Sequence, residues 1–582
     1  MQKCDVDCYG KCQNKIHTGT KCILHCEKNS PNKKQTLNDV YQKDKNTGLL
    51  SDFYDSFLNY TVAQIFEHTE LINNELTKED IKSYFESSKF NNEKYNKVLK
   101  KITFRPYGIH FPTRKGNDDF DYLKIFNLFE EVFFDNCEFY IDSLELKDTK
   151  CLFEKCVFNV EWMIDNYTIH SDEKETYFCC TFNGKVSSYS SGKENIYDYP
   201  QFNYSCTFNE NLELTNCTFK NKLFTEFNSD EKEIKTLKLL KFDKCIFEER
   251  TILNDYNIDG FSCVNTTFND MLEFNNNTIT DVLINNSEFK NTSSLMNSIF
   301  TNLIIKDSVF EENVDFKDSV FGIKNKLTED STTLKSVLIK KSINFRNVKF
   351  YYGLDIPDTK INDLSNFLKA DLTVKYTPQD TYRRLKYEFD SIGNIIEANK
   401  FYQKEMEKRE EDLKKELPKD FFEWVIFKIH GFTSGHSQNA LLALFWIFII
   451  SYIYSYTFNF LDVEYMKDIK LDKIFLKSFI YDIYSTDLFH LFMLSFLMTL
   501  PYISANSIIN KNYYLLIGIL TTFLYMYLTK DFTLSIVSNN INPFSIITEA
   551  GELSFDELLY RVTIAYLLYQ LVISIRQNTR RK

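Results

Sequence analysis

Two kinds of hydrophobic pattern divide the chain. Over residues 131–355, short runs of alternating apolar and polar residues are separated by Asn and Asp, as in NLELTNCTF. Such period-two runs joined by tight turns predict short β-strands. After residue 436, uncharged runs of about 18 to 23 residues replace the alternation. Runs of that length predict helices that can cross a bilayer core, which needs about 20 apolar residues.

A repeat marked by phenylalanine runs through the strand-like region. Phe247, Phe268 and Phe289 are 21 residues apart, and the spacing then falls to 11, 10 and 11 residues as far as Phe321. One bulky and one small inward residue per strand, recurring at this spacing, gives a coil of about 21 residues. The sequence therefore predicts a solenoid of parallel strands wound around an axis filled with Phe side chains.

Most cysteines follow the same repeat. Nine of the 14 lie between Cys137 and Cys263, and seven of these stand two residues before a Phe. Farther on, Ser takes that place, as at Ser287 and Ser308. A position that accepts Cys or Ser needs a small buried side chain, whereas a disulfide or a metal requires Cys, so these thiols are predicted to be structural and free. Free thiols suit a reducing compartment. The seven are Cys137, Cys151, Cys156, Cys180, Cys206, Cys217 and Cys245.

Units such as NCEF, KCIF, NSEF and DSVF carry a family resemblance. With a small residue two places before a central Phe, the chain resembles the pentapeptide-repeat proteins over roughly Phe133 to Phe350. The resemblance implies a right-handed, four-sided β-helix. The spacing departs from the family pattern at 159–181 and 185–201, so a three-sided parallel β-helix is the alternative. Some family members imitate DNA, but the acidic excess here is modest and forms no ordered stripe.

The segment CDVDCYGKCQNKIHTGTKCILHCEK predicts a zinc site. Two close pairs of soft ligands separated by a turn match the tetrahedral sulfur and nitrogen coordination of structural zinc. The segment is also similar to the short Cys/His knuckles that open some bacterial repeat proteins. Unpaired thiols and redox chemistry are the two alternatives. The predicted ligands are Cys8, Cys12, Cys22 and His25, with Cys4 and Cys26 as alternates.

The patterns together predict a multidomain chain. A helical region caps the solenoid on its N-terminal side, and a helical hairpin connects the solenoid to a transmembrane domain. The hairpin segments RRLK and GNIIEANKFYQKE resemble the connector between pentapeptide repeats and membrane helices in related proteins. The predicted boundaries are 1–30 for the knuckle, 31–130 for the helical cap, 131–355 for the β-helix, 356–436 for the hairpin and 437–582 for the transmembrane domain.

About four membrane-spanning helices are predicted, at 439–461, 487–506, 512–530 and 556–576. The first residues of the chain lack the apolar core of a signal peptide, which places the large N-terminal part in the cytoplasm. The basic residues of the tail IRQNTRRK place the C-terminal end there too. We expect an integral protein of a bacterial inner membrane. His430 and His436 stand just before the first span, where a polar entry turn is the simplest interpretation.

The charge distribution and a motif search narrow the range of functions that the sequence predicts. The net charge of −12 arises before Ser437, and no basic tract is present, so no nucleic-acid partner is expected. The sequence contains no H-E-x-x-H, G-x-S-x-G, Walker A or G-x-G-x-x-G motif, and no enzymatic activity is predicted. The predicted function is a membrane-anchored scaffold whose β-helix binds a protein partner or transduces a signal. The alternative is an oligomeric channel gated by the soluble repeat domain.

Overall fold

The chain forms two compact units, Met1–Thr373 and Val374–Lys582. The computed structural model describes residues 4–6, 12, 14–28, 49–67, 81–84, 93–112, 125–144, 146, 149–164, 174–188, 194–225, 235–323, 332–363, 365–459, 512–529, 532–542 and 555–579.

The first unit opens with a small antiparallel hairpin of the strands Ile16–Thr18 and Lys21–Cys22. Among the described residues that follow are the helices α1 (Leu49–Glu67) and α2 (Glu93–Leu99). Phe53 and Phe57 of α1 are fully buried, and the Phe57 ring contacts that of Phe104 at a centroid distance of 6.2 Å. Because Phe104 belongs to the first solenoid strand, α1 packs against the N-terminal end of the solenoid.

The rest of the first unit is a parallel β-solenoid of about 10 turns. Parallel pairing runs from Thr103–Phe104 to Asp371–Leu372, beyond both ends of the predicted range 131–355. The first two stacks are Thr103–Phe104, Glu131–Asp135, Lys150–Glu154, Tyr177–Phe178, Phe202–Asn203 and Phe224–Thr225, and His110–Phe111, Glu138–Phe139, Val157–Phe158, Thr181–Phe182 and Thr207–Phe208. The longest stack is Trp162–Ile164, Val186–Ser188, Leu212–Thr215, Lys235–Asp243, Tyr256–Val264, Thr278–Asn285, Ile299–Lys306, Val320–Phe321, Lys349–Phe350 and Asp371–Leu372, joined by Thr332–Lys335 and Leu354–Asp355. The last two are Asn195–Tyr197, Cys217–Phe219, Ile246–Phe247, Thr267–Phe268, Glu288–Phe289, Val309–Phe310, Leu338–Ile339 and Lys360–Ile361, and Thr251–Ile252, Leu272–Glu273, Ser293–Ser294, Val314–Asp315 and Ile343–Asn344.

Four strand segments fill one turn of the regular part. After Ile246–Phe247 and Thr251–Ile252 comes Tyr256–Val264, which bends at Asp259 because that residue leaves the ladder. The next strand, Thr267–Phe268, then pairs with Ile246–Phe247, so the turn closes after 21 residues. Four segments per turn favour the four-sided coil over the three-sided alternative.

The turn corners explain why Asn and Asp separate the strands. Asn265, Asn286 and Asp307 have φ values of 51°, 48° and 47°, in the left-handed region that Asn and Asp tolerate better than other side chains. Each corner residue precedes the small residue of the repeat. The corner residues also join neighbouring turns, since the Asn286 amide donates to Oδ1 of Asn265 at 2.7 Å.

Stacked aromatic rings fill the axis, which confirms the prediction made from the spacing of Phe. One column contains Phe219, Phe247, Phe268, Phe289 and Phe310, with successive ring centroids between 4.4 and 5.1 Å apart and planes within 9° of parallel. All five rings are buried. Each turn therefore places one ring directly on the ring of the previous turn, where the contact removes apolar surface from water and adds an aromatic stacking term.

The small residues beside these rings fix the corners. The Cys245 thiol donates to the Leu214 carbonyl at 3.3 Å, and one turn later Thr266 donates to the Val264 carbonyl at 2.9 Å. The Ser287 hydroxyl makes the same contact with the Asn285 carbonyl at 3.0 Å. The seven repeat cysteines are buried and free of disulfides, as the alternation of Cys with Ser predicted.

We expect Cys245→Ser to be nearly neutral and Cys245→Leu to be strongly destabilising. Serine fills the equivalent corner of later turns and keeps a donor for the Leu214 carbonyl, so the change should cost less than about 1 kcal/mol. Leucine overpacks a closed corner, at a cost of about 1–3 kcal/mol. Urea denaturation of both variants, monitored by circular dichroism, checks this. Equal losses for the two would contradict a purely steric role for the thiol.

The second unit is helical in its described part. The predicted hairpin consists of α3 (Gln379–Ser391) and α4 (Ile395–Lys415), with Gly393 at a φ of 76° between them. Phe389 and Phe401 stack across it at 5.4 Å. The remaining helices are α5 (Phe421–Ser434), α6 (Ala440–Asn459), α7 (Asn512–Thr529), α8 (Ser535–Ile541) and α9 (Phe555–Thr579).

Three of the four predicted spans coincide with α6, α7 and α9, and the predicted span 487–506 lies outside the described residues. By length and composition, one described helix can cross a membrane, over Glu557–Gln577 of α9. Shorter apolar segments, Ala440–Tyr456 and Leu516–Tyr527, lie in α6 and α7.

Candidate metal centre

Four buried side chains near the N-terminus bring their ligand atoms together. The sulfur atoms of Cys4, Cys12 and Cys22 and a ring nitrogen of His25 all lie within 4.8 Å of one another. Cys22 ends the second strand of the hairpin and His25 lies in the turn that follows it. Within the described part of the chain, this is the one group of three or more His, Cys, Asp or Glu with such spacing.

The backbone positions each ligand. The amide of Cys4 donates to the Asn14 carbonyl at 3.2 Å, and the amide of Cys22 donates to the Cys4 sulfur at 3.3 Å. The His25 amide donates to the Cys22 carbonyl at 3.1 Å, which forms a tight turn between these two ligands. Cys4 and the hairpin-turn ligands Cys22 and His25 thus converge on one point.

Two of the three distances between ligand atoms agree with tetrahedral coordination, and the third is shorter. With metal bonds of about 2.3 Å to sulfur and 2.05 Å to nitrogen, tetrahedral geometry places two sulfur atoms about 3.8 Å apart and sulfur and nitrogen about 3.6 Å apart. The sulfur atoms of Cys12 and Cys22 are 3.8 Å apart. Nδ1 of His25 lies 3.5 Å from the Cys4 sulfur and 3.1 Å from the Cys22 sulfur. Three cysteines and one histidine therefore fit a four-coordinate metal ion with all positions filled by protein.

The electrostatics of the cluster favour neutral thiols until a metal is added. Hydrogen bonding with Cys12 and then burial raise the pKa of Cys22 to about 11, and burial raises the pKa of Cys4. Burial alone would lower the pKa of His25, but the thiols of Cys22 and Cys4 raise it. A metal would bind the thiolates, so binding must displace protons and will weaken as the pH falls.

The predicted ligands differ in whether the structure places them in the cluster. Cys12, Cys22 and His25 of the predicted set lie in the cluster, and the alternate Cys4 completes it. Cys8 lies outside the described residues. The other alternate, Cys26, turns away and donates its thiol hydrogen to the Ile23 carbonyl at 3.6 Å.

The cluster is attached to the first turn of the solenoid. The amide of His110 donates to the Leu24 carbonyl at 2.9 Å, so the knuckle, defined here as the described part of residues 4–28, extends the sheet hydrogen bonding. Gly108 lies under the His25 ring with a φ of 63°, where a Cβ would touch Cδ2 at 3.6 Å. Lys28 is also fully buried and donates to the Ile23 carbonyl at 2.7 Å, which fixes the loop that carries His25.

Comparison with known proteins leaves the family open. No family model, curated protein or solved structure matches this chain.

Proposed function

We propose that the chain is a membrane-anchored, non-enzymatic scaffold. In this proposal the β-solenoid lies in the cytoplasm and presents a long rigid face to a protein partner, and the C-terminal helices hold it in the bilayer of a bacterial inner membrane. The four-segment turn and the small residue before each central Phe support membership of the pentapeptide-repeat proteins.

The observation that carries the proposal is the apolar outer surface of the helices α6, α7 and α9. Apolar side chains point outward, and Phe523, Val562 and Val572 are 67 %, 58 % and 63 % exposed. A water-soluble bundle places such residues inside, whereas a bundle in lipid leaves them outside.

Hydrogen bonds between polar side chains join these helices in the interior of the bundle. The Tyr560 hydroxyl donates to the fully buried Ser451 hydroxyl at 2.9 Å, which joins α9 to α6. Asn540 of α8 donates to the buried Ser455 of α6 at 2.8 Å. Small polar residues that pair between helices are typical of membrane bundles, because lipid offers no alternative hydrogen-bond partner.

We further propose that the Cys/His cluster binds zinc and has a structural role. The set of three thiols and one imidazole is a common structural zinc site, and all four coordination positions are filled by side chains. Its attachment to the first solenoid turn supports a capping role, since an open solenoid end presents unpaired strand edges. The chemistry that zinc would supply here is the crosslinking of two short segments.

The anchor proposal predicts that the full chain stays in the membrane pellet after washing with alkaline carbonate. Replacing both Val562 and Val572 by lysine should release part of it, because a lysine costs about 2.5–3.5 kcal/mol at the centre of a membrane helix and less toward its ends, where these two residues lie. The matched control replaces Leu283 and Ile299, exposed aliphatic residues of the solenoid, by lysine. The control should remain membrane-bound, and release of the unmodified chain would overturn the anchor.

The channel alternative needs a separate measurement. Full chain reconstituted in liposomes should give no ion flux above that of empty liposomes if the helices serve as an anchor. A flux that is lost when the helices are altered and kept in the solenoid control would favour the channel. In the scaffold case, affinity purification in mild detergent should recover a defined protein partner, and the Leu283 and Ile299 substitutions test whether that partner binds the exposed surface of the solenoid.

A further inference from the structure

A chain of polar side-chain contacts connects the hairpin connector to the apolar helices. It begins at Glu410 of α4, passes through His436 and His430, and ends through Ser437 at Gln570 of α9. Nε2 of His436 lies 3.6 Å from Oε2 of Glu410, and its Nδ1 lies 3.3 Å from Nδ1 of His430. All of these residues belong to the second unit.

The hydrogen positions follow from the acceptor at the far end. The Ser437 hydroxyl donates its hydrogen to Oε1 of Gln570 at 3.0 Å. Since a hydroxyl has one hydrogen, the contact of 2.9 Å between Ser437 and Nε2 of His430 must be donated by the histidine. A neutral His430 then carries its hydrogen on Nε2 and offers an unprotonated Nδ1 to His436.

His436 must therefore carry a hydrogen on Nδ1. If His436 is neutral, its unprotonated Nε2 faces the carboxylate of Glu410, and two acceptors oppose each other. If it is an imidazolium, Nε2 also carries a hydrogen, and the ring binds Glu410 on one side and His430 on the other. The arrangement is complete only with the protonated ring.

The backbone around His436 is strained in the way expected of a switching element. Gly435, His436 and Ser437 have φ values of 56°, 54° and 64°, three left-handed residues in succession of which only the first is glycine. Left-handed residues other than glycine persist where surrounding contacts hold them in place. Gly431 is required as well, because a Cβ there would come within 2.9 Å of Nε2 of His436.

Three further charged or titratable groups lie near the pair of His436 and Glu410. Lys428 of α5 binds Glu410 at 2.8 Å, while Glu407 of α4 lies near Lys404 and Glu410. Burial raises the pKa of Glu407. Burial would raise the pKa of Glu410 too, but hydrogen bonds from His436 and Lys428 lower it, so Glu410 is an anion.

His430 and the groups of α9 do not compete for the proton. Burial and the positive charge of His436 lower the pKa of His430, so His430 stays neutral while His436 is protonated. On α9 the group that faces the pair is the uncharged amide of Gln570.

We propose that His436 is a proton-operated latch between the connector and the apolar helices. The protonated ring holds α4, α5 and α9 together, and loss of the proton replaces attraction with repulsion at Glu410. The contribution of the latch is therefore present while the ring carries its second proton and is lost when that proton leaves. A connector controlled in this way would make the coupling of solenoid and membrane helices depend on cytoplasmic pH, whichever partner the solenoid binds.

Hydrogen exchange of the full chain in detergent, at about pH 6 and about pH 8, tests the latch across the range in which histidine titrates. After correction for the intrinsic effect of pH, amides of residues 430–440 should exchange about tenfold more slowly at the lower pH, as expected for one hydrogen bond to a charged group. His436→Gln should abolish this difference. The control is His17→Gln, at an exposed position of the N-terminal hairpin, and it should leave the difference unchanged.

A second variant keeps the test decisive if His436→Gln fails to fold. Glu410→Gln preserves the shape of the side chain and removes the charge that favours the imidazolium, so the pH difference should shrink strongly. A structural role alone would change exchange equally at both pH values. An unaltered pH difference in either variant, or none in the unmodified chain, would overturn the proposal.

Discussion

Replacing Cys22 by serine should strip the chain of its bound metal and unfold the knuckle. Cys22 lies nearest to the other ligands, 3.8 Å from the Cys12 sulfur and 3.1 Å from Nδ1 of His25. Zinc supplies about 10–16 kcal/mol to the folding of short finger peptides, which have little core of their own. Metal analysis of the purified chain should give one zinc per unmodified molecule and none for the variant. Hydrogen exchange should show loss of protection over residues 14–28.

Cys26→Ser is the matched control for this experiment. Cys26 is buried three residues from Ile23 and contacts its carbonyl, but its sulfur is not part of the cluster. The control should keep its zinc and its protection. Loss of zinc from the control together with retention in the Cys22 variant would mean that the ligand set is wrong. Zinc should also leave as the pH falls, since protons compete for the thiolates.

The metal site shows how much of a ligand set can be predicted from the spacing of residues along the chain. The pairs Cys8–Cys12 and Cys22–His25 stand out in the sequence because their members are close along the chain. Cys4 completes the described cluster for a different reason, since the hydrogen bonds from its amide to Asn14 and from Cys22 to its sulfur carry it across the hairpin. Such a pairing depends on the folded path of the backbone, which spacing does not encode.

The solenoid was predictable where its repeat is regular. Between 159 and 201 the sequence pattern is interrupted, yet Trp162–Ile164 begins the longest stack and Tyr177–Phe178 continues the first one. Tyr177 takes the place of a Phe between Phe153 and Phe202, and its hydroxyl accepts a hydrogen bond from Trp162 at 2.9 Å. A pattern defined by Phe misses a turn in which the larger side chains Tyr177 and Trp162 form a hydrogen bond with each other.

The latch residues were visible in the sequence only as a polar turn before an apolar run. Their partners Glu410 and Gln570 lie on helices far apart along the chain, and no periodicity connects them. Strand repeats can be read from sequence because each turn contacts the next at a fixed distance along the chain. Contacts between helices of the second unit have no such fixed distance.

Removing one ring from the middle of the aromatic column should cause the largest loss of stability in the solenoid. Phe289 is buried between Phe268 and Phe310, with ring centroids 5.0 and 4.4 Å away. Phe289→Ala should cost about 3–5 kcal/mol, because the rings above and below lose their contact and the cavity cannot close without moving both turns. Phe289→Leu retains most of the volume and should cost less.

The loss from Phe289→Ala should be local, since each turn of a solenoid contacts only its neighbours. Hydrogen exchange should become faster in Thr267–Phe268 and Val309–Phe310, while Glu138–Phe139 and Val157–Phe158 keep their protection. The control is Phe178→Ala, which removes an equal ring that lies on the outer surface and is 37 % exposed. An outward ring contributes no contact along the axis, so the control should lose less stability than Phe289→Ala. If both variants lose the same stability, or if protection falls evenly along the solenoid, stacked rings do not hold the turns together.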